Sequence, residues 1–106
     1  MGEMIRMTMA DGAEIAVYHA VPDGERRGGL VLVQEIFGVT DQLKGVAERY
    51  AAQGYNVAIP ALFDRQKRDT VVPFDQPDLG RDLRVKISIA ESLADTEAAV
   101  NALKAK

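Results

Sequence analysis

The hydrophobic and polar positions near the amino terminus predict a β-hairpin. Two strand-like runs, at 3–9 and 13–20, flank the dipeptide Asp11-Gly12, which suits the positive φ angles of a tight turn. The next segment, 22–29, combines proline, glycine and charged side chains, a composition typical of an exposed connection. We therefore expect an antiparallel β-ribbon followed by a surface loop.

The middle of the chain has the pattern of a βαβ unit. Leu30-Val31-Leu32-Val33 is apolar on both faces, as expected of a central, parallel strand covered by helices on two sides. A second short apolar strand is predicted at 55–59, so the connection between the two strands is a right-handed crossover. Between them a helix is predicted, with Thr40 or Asp41 as N-cap and Gly54 as C-cap. Its apolar positions recur at helical spacing and are Leu43, Val46, Ala47, Tyr50 and Ala51.

The second half of the chain predicts a long loop and then a helix. Residues 60–80 hold prolines and charged side chains without a hydrophobic period, and the mixed charges at 64–69 are typical of a solvated loop. Residues 81–104 are expected to be mostly helical, because the alanine-rich composition beyond residue 90 favours helix. The stretch 83–89 fits both a strand alternation and a helical face. The pattern as a whole indicates one α/β domain over residues 1–106.

Composition and charge exclude several classes of protein. Hydrophobic residues make up 47% and charged residues 27% of the 106 residues, as in ordinary folded proteins. The net charge is −3 and the basic residues are scattered, so we expect no nucleic-acid partner. No apolar run approaches the roughly 20 residues that cross a bilayer, and no secretory signal pattern opens the chain. We therefore expect no membrane association and a cytoplasmic location.

The residue types present also limit the chemistry. The chain contains no cysteine, which excludes disulfides, thiolate metal sites and a cysteine nucleophile within these residues. No carboxylate or histidine cluster has the spacing of metal ligands, and the lone glycine of the Glu-Ile-Phe-Gly element at 35–38 does not make a phosphate loop. Neither a metal nor another cofactor is therefore predicted.

Two segments carry a resemblance to a known family. The run LVLVQEIFGV at 30–39, with the helix that follows it and then QGYNVAIPALF at 53–63, resembles the dienelactone hydrolase family. A weaker match lies at 95–99. The resemblance implies the amino-terminal half of an α/β-hydrolase fold, in which the loop after the first parallel strand lies beside the active centre.

The resemblance also implies roles for particular residues. Glu35 would adjust the ionisation of the nucleophile, and the backbone N–H of Ile36 would be one donor of the oxyanion hole. The family binds a substrate carboxylate with arginines, for which Arg81 or Arg84 is a candidate. The substrate would be a small ester or lactone.

The family's nucleophile, aspartate and histidine follow further along its chains and are not found here. These residues leave cysteine or serine open as the nucleophile, and the resemblance favours cysteine. His19 precedes the other elements and is interpreted as a surface or strand-pairing residue. One hypothesis is therefore a truncated esterase that is inactive alone. The alternative is a non-catalytic binding or self-associating module, and in either case an exposed sheet edge predicts a homo-oligomer.

Overall fold

A four-stranded mixed sheet forms the centre of the computed structural model, which describes residues 2–9, 11–66, 68 and 70–104. The strand order is β1-β2-β4-β3, with β1 antiparallel to β2, β2 antiparallel to β4, and β4 parallel to β3. The strands are β1 (Gly2–Thr8), β2 (Glu14–Ala20), β3 (Gly28–Val31) and β4 (Tyr55–Pro60). This arrangement confirms the predicted α/β fold of a hairpin followed by a βαβ unit.

The hairpin turn forms as the sequence predicts. Gly12 has a φ of +90°, which an L-residue rarely adopts, and the Met9 N–H donates to the Ala13 carbonyl at 2.7 Å. The Asp11 carboxylate accepts a hydrogen bond from the Ala13 N–H at 3.1 Å. These contacts fix the register that pairs β1 with β2.

Helix α1 (Asp41–Ala52) connects the two parallel strands and covers one face of the sheet. Thr40 is the N-cap, and its hydroxyl accepts a hydrogen bond from the Leu43 N–H at 3.1 Å. Gln53 is the C-cap, and Gly54 follows it with a φ of +99°. Of the two predicted N-caps, the structure therefore selects Thr40, and it corrects the predicted C-cap from Gly54 to Gln53.

Strand β3 lies at an edge of the sheet, so the prediction of a central strand is wrong for the part of the chain that the structure describes. The strand is parallel to β4, as predicted, but no described strand pairs with its other side. Its side chains face both layers, since Leu30 packs on the α1 side and Val31 on the opposite side. Val33, just beyond the strand, is 58% exposed.

The segment between β4 and the last helix is more ordered than the sequence predicts. A 3-10 helix occupies Leu62–Arg65, and helix α2 (Pro77–Val85) begins within the predicted loop. Phe63, Val72 and Ile87 are buried against one another in a small apolar cluster. Burial of these few side chains organises the segment, although they recur with no regular period.

Helix α3 (Ile89–Lys104) covers the second face of the sheet through Ala99 and Leu103. The ambiguous stretch 83–89 is therefore helical at both ends, with a short break between α2 and α3. At the break, Ser88 and Glu91 form a capping box. The Ser88 N–H donates to the Glu91 carboxylate at 2.9 Å, and the Glu91 N–H donates to the Ser88 hydroxyl at 3.0 Å.

The charged run at 64–69 begins with two buried side chains, so its interpretation as a solvated loop is wrong at Asp64 and Arg65, while positions 67 and 69 lie outside the described residues. The Asp64 side chain is 1% exposed, and its carboxylate accepts a hydrogen bond from the Ala16 N–H at 2.8 Å. The Arg65 side chain is 8% exposed and forms two hydrogen bonds of 2.7 Å with Asp95, which is fully buried. This pair joins the 3-10 helix to α3.

His19 is also buried, so of its two interpretations, a surface or a strand-pairing residue, the structure supports strand pairing. Its Nε2 forms a hydrogen bond with the Asn56 side-chain oxygen, and His19 pairs with Glu3 and Ala58 across the neighbouring strands. A hydrogen-bonded histidine of this kind is a satisfied polar group within the sheet. Within the described residues, no helix is long and apolar enough to cross a membrane.

Candidate active site

A largely apolar cavity of about 730 Å³ opens beside the carboxyl ends of the two parallel strands. In open α/β sheets this edge is where ligands collect. Its walls come from the loop after β3, the 3-10 helix after β4, and the junction between α2 and α3. The lining includes Val33, Gln34, Glu35, Ile36, Leu62, Phe63, Arg84, Val85, Ile89 and Leu93.

The loop that carries Glu35 and Ile36 is held by its own turn. The Gly38 N–H donates to the Glu35 carbonyl at 3.0 Å, and Gly38 has a φ of +89°. The Phe37 carbonyl accepts a hydrogen bond from the Val72 N–H at 2.9 Å. Among the described residues no acceptor engages the Ile36 N–H, and Ile36 lines the cavity.

Gln34 connects this loop to the next wall of the cavity. Its side-chain oxygen accepts a hydrogen bond from the Leu62 N–H at 2.8 Å, and its side-chain nitrogen donates to the Glu35 carbonyl at 3.2 Å. The Leu62 N–H at the first turn of the 3-10 helix has no acceptor within the helix, and the Gln34 side chain supplies one. No separate role of Gln34 is predicted from the sequence, although Gln34 is part of the Gln-Glu-Ile-Phe-Gly element.

The two candidate arginines lie in different surroundings. Arg84 lines the cavity together with Glu35 and Ile36. Arg81, also on α2, is not part of the lining, and its guanidinium pairs with Asp78 at 2.9 Å. The structure thus brings three of the four predicted site residues to one cavity and leaves Arg81 outside it.

Arg65 connects two of the elements that form the cavity walls, the 3-10 helix and α3. Besides Asp95, its guanidinium contacts Asp11 in the hairpin turn at 2.7 Å and Glu91 at 3.4 Å. Hydrogen bonds to Asp95, and to a lesser extent to Asp11, raise the pKa of Arg65 above its already high ordinary value. The hydrogen bond from the Arg65 guanidinium lowers the pKa of Asp11. This cluster is not predicted from the sequence, because its members are far apart along the chain.

The lining has hydroxyl groups and the Glu35 carboxylate, but no histidine. Ser88 lines the cavity, but its hydroxyl caps α3. His19 is not part of the lining, and the chain contains no cysteine. Within the described residues no group of three His, Asp or Glu side chains could hold a metal ion. Among the described residues the lining therefore offers a carboxylate and a cation, with neither a cysteine nor a histidine beside its hydroxyl groups.

Comparison with known proteins gives consistent matches. The family model described as "Dienelactone hydrolase family" matches residues 15–106. A Synechocystis protein named "Putative carboxymethylenebutenolidase" is 37% identical over 91 residues, which cover 82% of this chain and 37% of the relative. A Methylorubrum extorquens protein of the same name is 33% identical over 97 residues, covering 91% of this chain and 33% of the relative.

The fold comparison agrees with the sequence matches. The crystal structure of a Klebsiella pneumoniae protein, described as a "Putative Dienelactone Hydrolase", superimposes with a TM-score of 0.72 at 30% identity. The match covers 92% of this chain and 40% of the Klebsiella chain, so the present chain spans well under half of its relatives. The chain belongs to the dienelactone hydrolase family.

Proposed function

We propose that this chain supplies the oxyanion side of an active site that hydrolyses small carboxylic esters or lactones. In this proposal the Ile36 N–H binds the carbonyl oxygen of the substrate, Glu35 adjusts the ionisation of the nucleophile, and Arg84 binds a substrate carboxylate. The observation that carries the proposal is that these three residues line one cavity at the carboxyl edge of β3 and β4.

The chemistry of acyl transfer explains the value of the Ile36 N–H. Attack on an ester carbonyl places negative charge on its oxygen, and a rigid backbone donor meets that charge without reorganising. One such donor contributes roughly 3 kcal/mol to the stability of the transition state. The hydrogen bonds of the Gly38 turn supply this rigidity next to Ile36.

Glu35 and Arg84 act on different groups in this proposal: Glu35 acts on the nucleophile, and Arg84 acts on the substrate. A carboxylate beside a thiol or hydroxyl changes the proton affinity of that group, and a guanidinium binds carboxylates through paired hydrogen bonds. Neither group attacks the ester itself. The nucleophile would come from residues outside these 106, so we propose that the chain alone is inactive.

The coding DNA beyond the Lys106 codon tests this proposal. We expect a strand followed by a Gly-x-Cys-x-Gly or Gly-x-Ser-x-Gly elbow, as the nucleophile of this fold requires. An immediate stop codon would contradict the proposal that these residues serve an ester hydrolase.

Variants of the longer protein test the assigned roles. With an activated ester that carries a carboxylate, Arg84→Met should raise KM by about tenfold or more, whereas the matched control Arg81→Met should leave KM unchanged. Glu35→Gln should shift the pH dependence of kcat/KM. Equal effects of the two arginine variants would refute the role of Arg84.

The free edge of β3 favours a second candidate function, a self-associating module. The backbone groups on this edge have no described partner strand, and Val33 beside it is 58% exposed. Such an edge pairs readily with another chain. Sedimentation at micromolar concentration should then show an oligomer that Val33→Lys dissociates, and a stable monomer would contradict this alternative.

The cytoplasmic location stays a prediction.

A further inference from the structure

Helix α2 rests on the loop that carries Ile36, and the contact occurs at a glycine. Gly80 is buried in the middle of α2. A Cβ atom placed on Gly80 would lie 2.8 Å from the carbonyl carbon of Ile36 and closer still to its oxygen. Both of these are backbone atoms, so no side-chain rotation could relieve the overlap.

The glycine is not required by the backbone conformation of the helix. Gly80 does not have a positive φ, so alanine would fit its backbone and would favour helix more strongly. Glycine therefore costs helix stability at this position without a conformational need. The feature that requires it is the close approach to the Ile36 carbonyl, which a side chain would prevent.

The same helix carries the cation of the cavity. Arg84 follows Gly80 by one helical turn, so the two residues lie on the same face of α2. Arg84 and Ile36 both line the cavity. A displacement of α2 from Ile36 would therefore change the distance between the cation and the N–H donor.

We propose that Gly80 is a positioning residue of the candidate active site. By allowing α2 to rest on the Ile36 carbonyl, it sets the position of the Ile36 N–H and its separation from Arg84. The inference deepens the proposed function, since it concerns the spacing between the oxyanion donor and the group that binds the substrate carboxylate.

Nuclear magnetic resonance of the 106-residue chain tests the inference without requiring activity. Gly80→Ala should shift the amide resonance of Ile36 and weaken the binding of phenylacetate, a small carboxylate probe, by about tenfold or more. Gly45→Ala is the matched control, because Gly45 also lies in a helix and a Cβ there meets nothing within 4 Å. It should change neither the Ile36 resonance nor the affinity.

A second control separates positioning from general loss of packing. Leu83→Ala removes a half-buried side chain from the same helix without adding an atom near the Ile36 carbonyl. It should lower stability while leaving the Ile36 amide resonance in place. If Leu83→Ala moves that resonance as far as Gly80→Ala does, the specific role of Gly80 is refuted.

The remaining outcomes are also decisive. If Gly80→Ala does not fold, nuclear Overhauser contacts between the Gly80 α-protons and Ile36 in the unmodified chain support the inference, and their absence overturns it. An unchanged Ile36 resonance in a folded Gly80→Ala variant also overturns it and leaves the proposed function intact. If the unmodified chain does not bind phenylacetate, the carboxylate-binding role of Arg84 fails, while the Ile36 resonance still decides the role of Gly80.

Discussion

Replacing Arg65 with methionine tests the energetic account of the buried ion pair. The substitution keeps a long side chain and removes the charge, which leaves Asp95 fully buried without its partner. Removing one member of a buried pair costs about 3–5 kcal/mol. A domain of this size has a total stability on the order of 5–15 kcal/mol, so the variant should lose a large part of it.

The geometry supports a value in this range. Two hydrogen bonds of 2.7 Å join Arg65 to Asp95 in a bidentate pair, and the Arg65 side chain is only 8% exposed. An exposed pair provides the matched control. Arg68 lies 3.4 Å from Glu14, with side chains that are 56% and 42% exposed, so Arg68→Met should cost about 0–1 kcal/mol.

Urea unfolding followed by circular dichroism measures both variants, since the chain contains no tryptophan for fluorescence. The double variant Arg65→Met with Asp95→Leu should recover most of the loss, because it no longer buries an unpaired charge. The reasoning would be refuted if Arg65→Met cost no more than Arg68→Met.

Three further predictions follow from local contacts. Gln34→Leu leaves the Leu62 N–H without its acceptor and should cost about 1–3 kcal/mol, with faster hydrogen exchange at Leu62; unchanged exchange would contradict this. The Ser88 N–H lowers the pKa of Glu91, so the stability that this carboxylate adds is present above its ordinary pKa of 4.5 and is lost as the pH falls below that value. Glu91→Gln should therefore reduce the loss of stability in acid, and an unaltered pH dependence would refute the link. Gly45→Ala should stabilise the protein by about 0.5–1 kcal/mol in thermal unfolding, since its Cβ enters open space, and a lower melting temperature would show that α1 is not exposed there.

The sequence predicts the local elements of the fold because each depends on a few neighbouring residues. The turn at Gly12 and the cap at Thr40 are set by conformational preference and by side-chain hydrogen bonds within three residues. The strand β4 is predicted correctly from its mostly apolar residues, which are buried under α1 and α3.

The supports of the candidate site depend instead on contacts between distant segments. Arg65 and Asp95 are 30 residues apart, and a charged side chain within a mixed-charge run looks solvated until its partner is known. The role of Gly80 is likewise not predictable from the sequence, because the contact that excludes a side chain there is with the backbone of Ile36, which is distant along the chain. Glu35 and Ile36 could be singled out because the motif around them resembles a family.

The activity of the purified 106-residue chain on 4-nitrophenyl acetate tests the central proposal most directly. The proposal predicts a hydrolysis rate equal to that of the chain carrying Glu35→Gln and no higher than that of buffer, because it places the nucleophile and its histidine base outside these 106 residues. Saturable turnover that Glu35→Gln abolishes would contradict it, since these residues would then contain a complete catalytic site.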